Sequence, residues 1–88
     1  MMMKELICQQ LQILQPELLE VEDDSHQHAG HAGARPEGQT HFTVRVVSER
    51  FTGLGRVARH QLIYAQLKPA FERGLHALVI EAKTPQEI

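Results

Sequence analysis

Histidine is the residue type in this chain most able to do chemistry. Six histidines occur in 88 residues, and His26, His28 and His31 fall in one stretch of small and polar residues. A stretch of this composition buries nothing, so its histidines need an explanation outside the core. Imidazole is a common ligand for transition metals, and these residues therefore predict metal binding. A stretch that solubilises the chain, or that collects stray metal, is the competing interpretation.

A fourth histidine, His76, stands where the last predicted strand begins, directly after Gly74 and Leu75. The end of a strand is rigid, and a loop imidazole can swing to meet it, so His76 and one loop histidine form a workable pair of ligands. Two ligands do not complete a tetrahedral site. The single cysteine, Cys8, lies far away in the first predicted helix. The missing ligands are therefore expected from another molecule.

The other two histidines are expected to be packing residues. His41 begins a predicted strand whose next residue, Phe42, points to the core, and His60 falls within the apolar face of a predicted helix. No nucleophile motif, phosphate-binding loop or paired-carboxylate motif is present, so an enzyme is not expected.

Composition places the chain among ordinary globular proteins. It is 42% hydrophobic and 23% charged with a net charge of −2, and we expect one domain over residues 1–88. No apolar run approaches the roughly 18–20 residues that cross a bilayer, so no membrane association is expected. One cysteine forms no internal disulfide, which favours a reducing, cytoplasmic location.

The helices and strands that must position the histidines are predicted from the spacing of apolar residues and from the prolines and glycines that interrupt it. Apolar residues at helical spacing predict a helix over 3–15, which Pro16 ends. Alternating residues predict strands over 18–23 and 41–48, separated by a flexible His/Gly-rich loop over 24–39. A helix is predicted from Arg56, with Pro69 ending it or starting a short second one, and an apolar strand over 75–83 follows. Thr84, Pro85 and Glu87 have the spacing of a capping box.

These elements predict an α+β fold in the order α-β-β-α-(α)-β. The crossover between 41–48 and 75–83 makes those strands parallel, and 18–23 pairs antiparallel with 41–48, giving a three-stranded mixed sheet with helices on one face. The strand over 41–48 is expected to bury one face, and the strand over 75–83 to be covered on both. One face of the helix after Arg56 should hold Val57, Ile63, Tyr64, Leu67 and Phe71, with Arg59 on the opposite side.

Four stretches carry a family resemblance. They are Thr40 to Ser48 (THFTVRVVS), Phe51-Thr52-Gly53, Arg59 to Tyr64 (RHQLIY) and His76-Ala77-Leu78. Together they resemble a BolA protein, and the resemblance extends over about residues 18–85. It implies a fold similar to the class II KH domain.

The resemblance also implies a function. The partner would be a monothiol glutaredoxin with its glutathione, and the two proteins would share a bridging 2Fe–2S cluster, in iron–sulfur trafficking or iron regulation. His76 would be one ligand, and the second would come from the preceding loop, where His28 and His31 rank equally and His26 third. The chain alone would be a monomer that forms a heterodimer with its partner.

DNA binding is the alternative, since BolA proteins are also described as transcriptional regulators with a helix-turn-helix-like segment, here residues 51–68. Arg56, Arg59 and Lys68 are the candidate contacts. Residues 45–73 contain six basic and two acidic residues, which suits a phosphate backbone, whereas the sequence pI near 6.3 is low for such a binder. KH-type RNA binding is disfavoured because Gly53-Leu54-Gly55 stands where a Gly-x-x-Gly clamp is required.

Overall fold

A computed structural model describes residues 2–24 and 41–88. Helix α1 spans Met3–Leu11 and continues into a 3-10 turn over Gln12–Leu14. Strand β1 spans Leu18–Asp23 and strand β2 His41–Val47; a 3-10 turn over Glu49–Phe51 then leads to helix α2, Arg56–Gln66. Helix α3 spans Lys68–Glu72, strand β3 spans Ala77–Lys83, and a 3-10 turn covers Pro85–Glu87. Apart from Asp24, the predicted loop over 24–39 lies outside the described residues.

The sheet has the predicted topology. Its order is β1-β2-β3, with β1 and β2 antiparallel and β2 and β3 parallel. The helices share one core with the face of the sheet that carries Phe42, Val44 and Val46. The mixed three-stranded sheet with its helices is therefore confirmed.

Local sequence sets the ends of the helices. The α-helical part of α1 is shorter than predicted, because its last turn tightens to 3-10 and Gln15 adopts a left-handed conformation (φ 50°) before Pro16. A proline disfavours the helical conformation in the residue before it, which explains this ending. Pro69 lies in the first turn of α3, so it starts a short second helix, which is one of the two outcomes predicted for it. Gly74, at φ 114°, then turns the chain toward β3.

Two expectations about the sheet faces are wrong. Strand β2 is buried on both faces, because it is the central strand and side chains of β1 and β3 flank it; even Thr43, on the face away from the helices, is only 8% exposed. Strand β3 is covered on one face only. It is an edge strand whose residues alternate between half-buried and exposed, and Val79 is 59% exposed.

The rotation of α2 about its axis also differs from the prediction. Val57 is 70% exposed and Tyr64 is 43% exposed, whereas Ile63 and Leu67 are fully buried. At about 100° per residue, Arg59 lies within about 40° of Ile63, and Val57 lies about 120° from it. Arg59 was expected on the opposite side from the apolar face, and it instead lies at the edge of the core face.

Candidate metal-ligand site at the start of β2 and β3

The first residues of two neighbouring strands bring two imidazoles together. The register of the parallel pair sets His41 beside Ala77, so His76 and His41 lie at the end of the sheet where β2 and β3 begin. The two ring centroids are 5.3 Å apart with an angle of 54° between the ring planes. We call His41 and His76 the histidine pair.

The two members of the histidine pair differ in exposure. His41 is 8% exposed, in agreement with the packing role expected for it, whereas the side chain of His76 is exposed. The backbone at His76 is nevertheless held on both sides. Leu75, which is 4% exposed, donates its N–H to the carbonyl of Ala70 at 3.1 Å, and β3 begins at Ala77. A fixed backbone with an exposed imidazole suits a ligand that must meet another molecule.

The chain also leaves and re-enters the described structure beside the histidine pair. The N–H of Asp24 donates to the carbonyl of His41 at 2.8 Å. The hydroxyl of Thr43 donates to the carboxylate of Asp24. Asp24, which follows β1, is therefore held next to His41 at the start of β2.

The separation of the two rings is suitable for shared ligation of one metal ion. A ligating imidazole has its ring centre about 3.2 Å from the metal, so two of them on one tetrahedral ion lie about 5 Å apart. Within residues 2–24 and 41–88, no group of three or more His, Cys, Asp or Glu side chains converges as a metal site. Cys8 is a half-buried free thiol on α1. The described part of the chain thus brings two imidazoles together and adds no third ligand to them.

Sequence reasoning named His76 as a candidate ligand, which stays a prediction, and did not anticipate that His41 lies beside it. The signal was available, because parallel strands begin at the same edge of a sheet and both histidines stand at strand starts. His28, His31 and His26 lie outside the described residues, so their assignment as second ligand stays a prediction.

The residues proposed to contact DNA have different surroundings. Arg56 and Lys68 are exposed on and just after α2. The guanidinium of Arg59 instead donates to the carbonyls of Leu54 (2.8 Å) and Ala82 (3.1 Å) and to both carboxylate oxygens of Glu87 (2.6 and 3.0 Å). It therefore joins the turn before α2, strand β3 and the C-terminal turn.

The charge pair of Arg59 and Glu87 perturbs both groups. Hydrogen bonds from Arg59, and then from the backbone N–H of Thr84, lower the pKa of Glu87 to about 2. The bond to Glu87 in turn raises the pKa of Arg59. A phosphate group would have to compete with this pair for the guanidinium.

A family model and curated relatives place the chain in the same family. The family model described as BolA-like protein matches residues 11–87. "Protein BOLA1, chloroplastic" of Arabidopsis thaliana is 50% identical over 76 residues, covering 84% of this chain and 48% of that protein. "SufE-like protein 1, chloroplastic/mitochondrial" of the same plant is 53% identical over 79 residues, covering 85% of this chain and 21% of that protein.

Solved structures agree with these relatives. The BolA domain of SufE1 from Arabidopsis thaliana superposes with a TM-score of 0.86 at 49% identity, covering 97% of this chain and 94% of that domain. The chain spans about half or less of the length of the two plant relatives, whose names place them in organelles. The cytoplasmic location expected for this chain stays a prediction. No helix of the described residues is long and apolar enough to span a membrane.

Proposed function

Because the chain belongs to the BolA-like family, we propose that it is a non-enzymatic partner protein. It binds a monothiol glutaredoxin with its glutathione, and the two proteins share a bridging 2Fe–2S cluster in iron–sulfur trafficking or iron regulation. The observation that carries the proposal is the histidine pair, in which an exposed imidazole on a fixed backbone stands 5.3 Å from a second imidazole. When bound, the cluster supplies iron and sulfide as cargo or as a signal of iron status.

The donor set fits such a cluster. Two imidazoles can replace two thiolates on one iron of a 2Fe–2S centre. The chain has one cysteine, which belongs to no metal-binding group within the described residues. The sulfur ligands therefore come from the glutaredoxin and its glutathione. His76 is the first nitrogen ligand, and its exposure lets the partner approach it.

The second nitrogen ligand comes from the 25–40 segment or from His41. The segment is attached beside the histidine pair, through Asp24 and His41. At most about 3.5 Å of chain per residue allows His28 to reach about 14 Å from Asp24, and His31 about 25 Å. Chain length therefore leaves both His28 and His31 as candidates, with His26 behind them. His41 needs no such reach because it already contacts the His76 ring.

The decisive experiment is reconstitution with a monothiol glutaredoxin, glutathione, iron and sulfide, followed by absorption and circular dichroism spectroscopy. His76→Ala should abolish the cluster spectrum of the heterodimer while leaving the thermal midpoint of the free protein unchanged, because this side chain is exposed. His60→Ala is the matched control, since His60 lies on α2 outside the histidine pair. A normal heterodimer spectrum in His76→Ala would refute the proposal.

Single substitutions then identify the second ligand. His26→Ala, His28→Ala, His31→Ala and His41→Ala are compared for cluster yield and for the rate of cluster loss to a chelator. The variant that matches the loss seen in His76→Ala identifies the residue. If the variant that combines all four substitutions also keeps the heterodimer spectrum, histidine supplies only one ligand and the two-nitrogen assignment is wrong.

DNA binding is retained as a second candidate, because α2 and the residues that follow it to Phe71 contain no acidic residue. Arg56 and Lys68 are exposed, and no hydrogen bond or ion pair joins either side chain to another of the described residues. They are the proposed phosphate contacts, whereas Arg59 is already engaged by Glu87. Affinity for duplex DNA should fall steeply as the salt concentration rises. Arg56→Ala should reduce the steepness of the plot of log binding constant against log salt concentration by about 0.9. Affinity that does not change with salt would exclude this function.

A further inference from the structure

The free edge of β3 borders a groove. The groove has a volume of about 500 Å³ and lies between β3 and the start of α2. We call it the β3 groove, and the lining residues used below are Leu54, Arg56, His60, Ile80, Ala82 and Lys83. It is separate from the histidine pair, which lies at the opposite end of β3.

Hydrogen bonds show which backbone groups of β3 point into the groove. The N–H of Ser48 donates to the carbonyl of Lys83 at 2.9 Å, so Lys83 directs its backbone groups toward β2. In a parallel pair, alternate residues bond the neighbouring strand and the residues between them point away. Leu78, Ile80 and Ala82 therefore point their N–H and C=O groups to the free edge. A hydrogen bond from Arg59 confirms this alternation, because its guanidinium donates to the carbonyl of Ala82 from the groove side at 3.1 Å.

Within residues 2–24 and 41–88, no strand pairs with this edge. Its open groups alternate between donors and acceptors with a repeat of about 6.6 Å, which is the repeat of a second strand. A nucleic-acid backbone carries no amide donor for the carbonyls of Leu78 and Ile80. The chemistry that satisfies both kinds of group is an extended peptide added as a further strand.

The charge of the groove selects the kind of peptide. Arg56, His60 and Lys83 line it, and no ion pair joins Arg56 or Lys83 to another side chain of the described residues. Two acids line the groove as well: Glu87 pairs with Arg59 at 2.6 Å, and Glu81 bonds Arg45 at 2.7 Å, a guanidinium that it shares with Glu22. Arg56, Arg59 and Lys83 against these two acids leave one net positive charge. A second copy of this chain would bring the same cations to the edge, whereas an acidic peptide would neutralise them.

We propose that the β3 groove binds an extended acidic segment of a partner protein by β-strand addition. The backbone of the segment pairs with Leu78 and Ile80, and its acidic side chains face Arg56. β3 begins at Ala77, so a bound segment that ends opposite Leu78 stops short of His76 and leaves its imidazole accessible. The proposal is independent of the iron–sulfur function.

The test uses the whole chain and the peptide Ac-TEVEVET-amide, monitored by 15N NMR and by hydrogen exchange. Binding should slow exchange at the N–H groups of Leu78 and Ile80 and leave those of Val79 and Glu81 unchanged, since the latter already point to β2. Peptides with N-methyl groups on alternate residues provide a control that leaves the protein unaltered. Methylation of one alternate set should weaken binding about tenfold or more, and methylation of the other set should not.

Charge is tested in the protein. Arg56→Glu should weaken peptide binding about tenfold, and it keeps the fold because acidic residues are favourable in the first turn of a helix. Lys4→Glu makes the same change in charge on α1, away from the groove, and should have no effect. His76→Ala should bind the peptide normally, which distinguishes this site from the cluster site.

Several outcomes would overturn the proposal. One is equal weakening by both N-methylated peptides, and another is a change in exchange that does not alternate along β3. Binding of oligo(dT) at the same amides without peptide binding would assign the groove to nucleic acid. Protection of Leu78 and Ile80 that requires dimerisation of the chain, measured by sedimentation, would assign the edge to a second copy.

Discussion

Thr43→Val tests the contact that joins the attachment point of the 25–40 segment to the sheet. The Thr43 side chain, 8% exposed on β2, donates its hydroxyl to the carboxylate of Asp24. A hydrogen bond to a charged acceptor contributes about 1.5–3 kcal/mol. Asp24 is only half-buried, so water can replace the lost donor, and valine has a favourable strand propensity. Both effects reduce the cost to about 1 kcal/mol.

The assay is urea and thermal unfolding of wild type, Thr43→Val, Asp24→Ala and the double variant. A loss of about 1 kcal/mol lowers the midpoint temperature by roughly 4–8 °C in a domain of this size. The double-mutant cycle should give a coupling energy of about 1 kcal/mol. Thr52→Val is the matched control at an exposed threonine and should change stability by less than about 0.5 kcal/mol. A coupling energy near zero, or a Thr43→Val variant as stable as wild type, would refute the reasoning.

Further predictions concern the cluster, the loss of folding stability at acid pH and a buried hydroxyl. Cluster yield in the heterodimer should fall as the pH is lowered from 8 to 5.5, because protons compete with the metal for imidazole nitrogen; flat yield over this range would contradict histidine ligation. The pKa of Glu87, lowered from 4.5 to about 2 by Arg59 and the Thr84 N–H, means that the folded state favours its ionised form. That stabilisation is present above about pH 4.5 and lost as the pH falls toward 2, so Glu87→Gln should lose less stability than wild type across this range in acid unfolding. Ser48→Ala should cost about 2–3 kcal/mol in urea unfolding, because the buried Ser48 hydroxyl donates to the Leu14 carbonyl and accepts from the Arg50 N–H at 3.0 Å; a cost below about 0.5 kcal/mol would contradict this.

The amino-acid sequence determined the elements, their order and several of their ends. Alternation and helical spacing located the strands and helices, and the crossover rule made β2 and β3 parallel. The capping box at the C-terminal turn is confirmed, since the N–H of Thr84 donates to Glu87 at 2.7 Å. Pro69 and Gly74 act as expected at a helix start and a helix end. The elements and their ends depend on a few consecutive residues, whose steric preferences act before any tertiary contact forms, and the parallel pairing follows from the handedness of the crossover.

The tertiary structure alone decided which faces and which distant residues meet. The observed orientation of α2 about its axis differs from the predicted one, so Val57 and Tyr64 lie at the surface. In this orientation Arg59 reaches Glu87, which is 28 residues away in the sequence. Likewise, the strand register placed the ring of His41 5.3 Å from that of His76. Periodicity specifies that a helix or strand has an apolar face, but the rotation and register of that element are set by packing against neighbours that lie far along the chain. The identity of His76 as a candidate ligand was therefore available from the sequence, and its partnership with His41 required the folded sheet.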